Sequence, residues 1–386
     1  MARLARAEVF AADEVAVVHV ISRVVRRCFL LGDDPVTGKN FNHRKGWIEE
    51  RLRRLAGAFG IDLLAFSCLS NHFHLILRSR PDVVAAWDDT EVARRWLLLC
   101  PIRKGDDAAS LEPNEFELNS IRHDPDRLAK IRSRLSDISW WMRLLCQDIA
   151  QRANREDGEV GKFFQSRFRA VRILDDESLL ACAAYVDLNP IRAALAETLE
   201  HSDFTSVQRR IQSIRELGQA SSPPREAVAK NAQASNSVGS PSHVETAPRT
   251  SGQTASTSPA TPDCFLAPLA IDERQQSRGA CPHRAGHRCS DKGFLPIGLG
   301  DYLELLDWTA RQRVPGKRGA TPADAPLIFQ RLSISAETWC ELVNNFGRLF
   351  YNVAGRPSRI EATRSRQTNC RFHTSAEARS LFAAGA

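Results

Sequence analysis

Two short apolar runs, Ile61–Leu69 and Asn71–Arg78, follow each other almost without interruption and constrain the fold of the first half of the chain. Runs of this length that meet at Ser70-Asn71 are typical of a β-hairpin. Upstream, the β-branched segment Glu14–Val24 predicts another strand, and Arg44–Gly60 has apolar residues at helical spacing with a glycine at its end. The sequence therefore predicts a strand, a helix and a hairpin, in that order.

The segments after the hairpin continue this alternation of strands and helices. Residues 79–134 are richer in Asp, Glu and Pro and carry short helical patterns, which predicts a helical insertion. Leu135–Arg155 is amphipathic, Lys162–Ile173 predicts a strand, and Asp175 is a candidate cap for a helix that Pro190 breaks or kinks. This order of elements predicts an α+β fold of ferredoxin-like type, in which helices cover an antiparallel sheet.

The composition changes after residue 217. From 218 to 263 the chain is rich in Ser, Thr, Pro, Ala and Gln and almost lacks bulky apolar residues, which predicts a disordered linker. We therefore expect a folded domain over residues 1–217, the linker over 218–263, and a small, mainly helical C-terminal region over 264–386. Three helical patterns support the last part: Leu303–Ala310, Pro326–Leu332 and Ala336–Phe346.

Composition excludes several classes of protein. With 43% hydrophobic and 26% charged residues, the chain is neither collagen-like nor wholly disordered. Its apolar runs are far shorter than the ~18 residues that span a bilayer, so no membrane association is expected. The ten irregularly spaced cysteines are typical of reduced thiols in a cytoplasm. The net charge of +7 is compatible with nucleic-acid binding but does not identify a partner.

His72 and His74 flank Phe73 within the second run of the hairpin. Residues two apart on a strand face the same side, so both imidazoles are expected on one face of the sheet. Two imidazoles side by side can hold a divalent metal. This spacing also arises by chance, and a pair of hydrogen-bonded strand histidines is the alternative interpretation.

Tyr185 and Asn189 are four residues apart on a predicted helix and therefore share a face. Tyr185 is the only tyrosine before the linker, since Tyr302 and Tyr351 follow it. Taken alone, a helical tyrosine is usually a packing residue. Together with the two histidines, however, the asparagine amide could complete a Mg²⁺ or Mn²⁺ site, and the phenol could attack a phosphorus atom next to it.

Four motifs in the same order resemble those of REP-associated tyrosine transposases and the insertion-sequence-200-like transposase domain, within the HUH single-tyrosine endonuclease superfamily. Asn71–Leu75 (NHFHL) resembles the His-hydrophobic-His motif, and Ala184–Ala194 (AYVDLNPIRAA) resembles the element with the tyrosine. His19–Arg23 (HVISR) resembles the opening strand, and Gly161–Arg169 (GKFFQSRFR) resembles a later strand. The length of the 79–134 stretch and a phenylalanine pair where tryptophan is common depart from the family pattern.

This resemblance implies a function in DNA transposition. Tyr185 would cleave single-stranded, hairpin-associated DNA through a 5′-phosphotyrosine intermediate, while His72, His74 and Asn189 would hold Mg²⁺ or Mn²⁺. Basic residues beside the motifs are the expected DNA contacts, although surface arginines that serve solubility are an equal alternative for each. These are Arg23, Arg78, Arg167, Arg169 and Arg192. The resemblance also implies a cytoplasmic protein, at the nucleoid when bound to DNA, and leaves a homodimer open.

Two other functions remain compatible with these residues. One is a domesticated, catalytically silent DNA-binding protein that keeps the fold. The other is a His-metal hydrolase that uses activated water and needs no tyrosine. Separately, Cys281, His283, His287 and Cys289 form a compact cluster whose spacing matches none of the usual zinc-finger patterns, so zinc binding there is left open.

Overall fold

The computed structural model of the protein describes residues 8–11, 13–103, 112–165, 167–220, 260–272, 279–312, 335–367 and 370–383. The strands are β1 (Val17–Arg23), β2 (Ile61–Cys68), β3 (His72–Ser79), β4 (Arg169–Ile173) and β5 (Val353–Ala354). The helices are α1 (His43–Ala58), α2 (Pro81–Ala85), α3 (Asp89–Leu99), α4 (Glu115–Arg122), α5 (Pro125–Arg134), α6 (Ile138–Asp157), α7 (Asp176–Arg192), α8 (Ser206–Ala220), α9 (Leu299–Arg311), α10 (Ala336–Leu349), α11 (Pro357–Arg366) and α12 (Ala376–Ala383).

The strands form one sheet in the order β2-β3-β1-β4-β5. The first four are antiparallel to their neighbours, and β5 lies parallel to β4. The predicted α+β fold with an antiparallel sheet covered by helices is therefore confirmed. The order of the first four strands is that of a ferredoxin-like sheet, with α1 between β1 and β2.

Helices cover both faces of the sheet. On one face α1, α3 and α6 pack against alternate strand residues such as Val18, Val20, Leu75 and Leu77. On the other face α7, α9 and α10 pack against Leu64, Ile76 and Val171 among others. Because side chains alternate along a strand, the even-numbered histidines of β3 lie on the α7 face together with Ile76.

Segments from the C-terminal region take part in this same core. Val353–Ala354 pairs with β4, and buried side chains of α10 such as Trp339 and Phe346 pack on the α7 face. The division of the chain at 218–263 stays a prediction, since residues 221–259 lie outside the described residues and α8 runs on to Ala220. The predicted helix Pro326–Leu332 also lies outside them.

Two predicted elements differ in detail from the structure. The strand expected over Lys162–Ile173 is regular only from Arg169, because Phe164 makes just an isolated bridge to Val24. A break or kink was expected near Asn189, before Pro190, with helical structure continuing after it; α7 runs through Pro190 without a break and ends at Arg192. A proline near the end of a helix removes only one hydrogen bond, and the buried packing of α7 offsets that loss.

The residue that begins α7 follows the prediction. The side chain of Asp175 accepts a hydrogen bond from the backbone N–H of Ser178, as an N-cap does. In the part of the chain that the structure describes, no helix combines the length and the hydropathy that a bilayer span requires. All ten cysteines are free thiols.

Candidate functional site

The four residues predicted to form a site converge on the α7 face of the sheet. His72 and His74 project from β3 with ring centroids 4.9 Å apart, and Asn189 of α7 lies against the second of them. The Asn189 side-chain nitrogen is 3.1 Å from Nε2 of His74. Tyr185, one helical turn earlier, meets the His74 ring edge to face with centroids 5.4 Å apart. The structure thus brings β3 and α7 together at one point.

Tyr185 is half-buried between the sheet and helix α10. Its ring stacks on Phe346 with centroids 5.8 Å apart and an interplanar angle of 27°. A Cβ atom built on Gly347 would lie 3.1 Å from the tyrosine hydroxyl, so the missing side chain there leaves the phenol its space. Burial raises the pKa of Tyr185, and a hydrogen bond with Asn189 opposes that rise. The phenol is therefore protonated at neutral pH.

The imidazoles of the site are neutral. Burial lowers the pKa of His72 to about 4, and burial together with neighbouring cationic charge holds the pKa of His74 well below its ordinary value. Nδ1 of His72 lies 2.6 Å from Oδ1 of Asn71. A carboxamide oxygen there selects the tautomer with the proton on Nδ1, which leaves the Nε2 lone pair for another partner.

The donor set fits a divalent cation. Within the described ranges, no group of three His, Cys, Asp or Glu residues could hold a metal ion, so a third protein ligand beside His72 and His74 must be of another type. The side-chain amide of Asn189 is the polar group that lies against His74, with its nitrogen 3.1 Å from Nε2. Rotation of the Asn189 amide group by 180° exchanges the positions of its nitrogen and oxygen. Which of the two atoms faces His74 is assigned from the hydrogen bonds. Two neutral imidazoles and an amide oxygen can each offer a lone pair to a divalent cation.

Two of the five predicted DNA-contacting arginines, Arg23 and Arg167, are exposed. Arg23 ends β1 directly opposite His72, and its charge contributes to the lowered pKa of that histidine. Arg167 is exposed just before β4. Both side chains are therefore open to solvent.

The other three guanidinium groups bind the protein itself. Arg78 is buried, pairs with Asp62 at 2.8 Å and donates to the carbonyl of Gly293. Arg169 donates to the carbonyl oxygens of Gly347 and Phe350 at the end of α10. Arg192 donates to the Thr309 carbonyl near the end of α9, at 2.8 Å. These interactions attach C-terminal segments to the sheet and its helix, which differs from the phosphate contacts predicted for all three.

The cysteine–histidine cluster does not assemble as a metal site in the part of the chain that is described. His283 bonds through Nδ1 to the carboxylate of Asp291 at 2.7 Å. Cys289 is buried, and burial raises the pKa of its thiol, which disfavours the thiolate that zinc requires. This agrees with the unusual spacing of the four residues.

Three residues of the site were not predicted from the sequence. His19 of β1 lies against His74, with Nε2 2.9 Å from Nδ1 of the latter. Phe346 and Gly347 come from α10, on the far side of the 218–263 segment. The position of His19 in the motif resembling the opening strand was a signal for the first of these. Nothing in the local sequence of α10 marks the other two.

No protein-family model and no curated protein matches this chain. Among solved structures, the chain is similar to one described as "Structure of the REP associates tyrosine transposase bound to a REP hairpin", at 13% sequence identity and a TM-score of 0.31. The similarity covers 62% of this chain and 100% of the other. A likeness at that level carries no conclusion about function, and we base the functional argument on the geometry of the site.

Proposed function

We propose that the protein is a metal-dependent DNA endonuclease and strand transferase of the transposase type, with Tyr185 as nucleophile. The observation that carries this proposal is the convergence of the phenol with His74 and Asn189, from two elements far apart in the chain. Packing in the core alone does not explain why two neutral imidazoles and an amide lie beside the ring of Tyr185. The substrate would be single-stranded DNA next to a hairpin.

The proposed reaction exchanges one phosphodiester bond for another. The Tyr185 oxygen attacks phosphorus in line, the bond from phosphorus to the 3′ oxygen breaks, and the phenolic proton leaves as the 3′ oxygen takes one up. The products are a 5′-phosphotyrosine and a free 3′-hydroxyl. A bound divalent metal would stabilise the charge that develops on the phosphoryl oxygens. His72, His74 and Asn189 would hold it.

DNA contacts are proposed for Arg23 and Arg167 alone among the predicted arginines. Both are exposed, and they lie at the end of β1 and just before β4, beside the motifs. A cytoplasmic location, association with the nucleoid and a homodimer remain predictions.

The test is covalent trapping. The full-length protein is incubated with Mn²⁺ and an end-labelled hairpin oligonucleotide that carries single-stranded flanks, and adducts that survive denaturation are counted. We expect an adduct that Tyr185→Phe abolishes and that Tyr351→Phe, at an exposed ring, leaves unchanged. Cleavage that persists in Tyr185→Phe would favour the hydrolase that uses activated water. Hairpin binding without an adduct in the unaltered protein would favour the silent DNA-binding protein.

A further inference from the structure

His19 lies in the interior of the site and takes no part in the reaction proposed above. Its side chain is fully buried, and its ring is nearly parallel to that of His74, with centroids 5.2 Å apart and an interplanar angle of 12°. Nε2 of His19 is 2.9 Å from Nδ1 of His74. The same ring meets the Tyr185 phenol edge to face at 5.9 Å. His19 therefore contacts both the proposed ligand and the proposed nucleophile.

The hydrogen bonds of His74 determine where its single proton lies. A neutral imidazole carries one N–H and one lone pair. Nε2 of His74 faces the Asn189 amide, and it can bind a cation only through a lone pair. The proton must then be on Nδ1, and the group that faces Nδ1 is Nε2 of His19. When Nε2 of His19 accepts a hydrogen bond from Nδ1–H of His74, it selects the His74 tautomer that carries its proton on Nδ1.

We infer that His19 is a positioning residue for metal binding, because its Nε2 accepts the Nδ1–H of His74 and so keeps the His74 Nε2 lone pair directed into the site. This inference rests on the proposed function. A group that hydrogen-bonds to the other ring nitrogen of a metal-binding histidine commonly orients the ring and sets its tautomer.

The surroundings of His19 support this role over simple packing. Its other nitrogen, Nδ1, is buried and has no hydrogen-bond partner in the described structure. An unpaired buried N–H destabilises a protein, and an aliphatic side chain would fill the same space without that penalty. The strand carries aliphatic residues at Val18 and Val20, on its other face. A histidine at position 19 is therefore explained by its bond to His74.

The experiment measures Mn²⁺ affinity of the full-length protein without DNA, from the electron paramagnetic resonance signal of free Mn²⁺. His19→Leu removes the acceptor, and we expect a roughly 10–100-fold weaker affinity. His19→Gln keeps an acceptor oxygen and is expected to stay within a few-fold of the unaltered protein. Val20→Ala, one residue away on the opposite face, is the control for loss of packing and is expected to leave affinity unchanged.

The outcomes separate this inference from the proposed function. Equal Mn²⁺ affinity in His19→Leu and the unaltered protein would overturn the role of His19 while leaving adduct formation by Tyr185 intact. An equal loss in His19→Gln and His19→Leu would also overturn it. Failure of the unaltered protein to bind Mn²⁺ would remove the metal-dependent function itself. Should His19→Leu not fold, nitrogen NMR of labelled histidines in the unaltered protein reports the tautomer, and a proton on Nε2 of metal-loaded His74 would contradict the inference.

Discussion

The Tyr185 phenol and the His74 imidazole meet edge to face, with ring centroids 5.4 Å apart and planes at 84°. The two rings come from different elements, one from helix α7 and one from strand β3. Asn189, 115 residues after His74, closes the contact by placing its amide 3.1 Å from Nε2. This arrangement is the physical basis of the expectations that follow.

Loss of either β3 histidine is expected to abolish metal-dependent adduct formation. Removing an outer partner of a metal ligand already costs 10–100-fold in affinity, so His72→Ala or His74→Ala should lower the adduct rate by at least about 100-fold. Chelation with EDTA should have the same effect, and added Mn²⁺ should reverse it. His201→Ala, at an exposed histidine, serves as control. An adduct rate that withstands both histidine substitutions would argue against metal catalysis.

The space beside the Tyr185 hydroxyl is expected to matter for the rate of cleavage. In Gly347→Ala the new methyl group would lie 3.1 Å from that hydroxyl, closer than ordinary contact, and must push the phenol aside. We expect a lower rate of adduct formation at saturating DNA, with unchanged Mn²⁺ affinity. Gly300→Ala is the matched control on α9, because no atom lies within 4 Å of its added carbon. Equal rates in the two variants would show that the phenol adjusts freely.

The exposed and buried arginines are expected to respond differently. Arg23→Gln or Arg167→Gln should weaken DNA binding and reduce the slope of log affinity against log salt by about 1 each. Arg78→Gln should instead lower the free energy of unfolding by roughly 3 kcal/mol, since it leaves the buried Asp62 with one cationic partner fewer. Filter binding over a salt series and urea unfolding measure the two effects. A stable Arg78→Gln protein with a reduced salt slope would contradict this assignment.

A buried hydrogen bond attaches helix α9 to helix α7, which carries Tyr185. The Tyr302 hydroxyl donates to Oδ2 of Asp187 at 2.7 Å, and both side chains are fully buried. Tyr302→Phe leaves that carboxylate oxygen without this donor and should lower the free energy of unfolding by about 1–3 kcal/mol. Urea unfolding measures it, with the exposed Tyr351→Phe as control. No difference between the two variants would mean that the bond contributes nothing.

The local pattern of the chain predicted most of the secondary structure around the site. The two short apolar runs Ile61–Leu69 and Asn71–Arg78 predicted a hairpin whose strands lie within one residue of the ends of β2 and β3. The spacing of His72 and His74, and of Tyr185 and Asn189, correctly placed each pair on one face. These predictions succeed because side-chain direction along a strand or helix depends on backbone geometry alone.

The contact partners of the charged and packing residues were harder to predict from the sequence. Arg78, Arg169 and Arg192 looked alike as basic residues beside the motifs, yet each binds a carbonyl from the C-terminal region. No sequence pattern marked Phe346 and Gly347 as residues of the site. The location of a second element against a side chain depends on how the whole chain packs, which local spacing does not encode.

By itself, the sequence determined the α+β class, the two pairs of candidate site residues and the faces on which they lie. Only the tertiary structure decided that β3 and α7 meet so that Tyr185, Asn189 and His74 touch, that His19 faces the far nitrogen of His74, and that α10 covers the phenol. The physical reason is the separation along the chain over which the interactions act. Periodicity depends on neighbouring residues and shows which side of a helix or strand is buried. What that side contacts depends on how segments far apart in the sequence pack together.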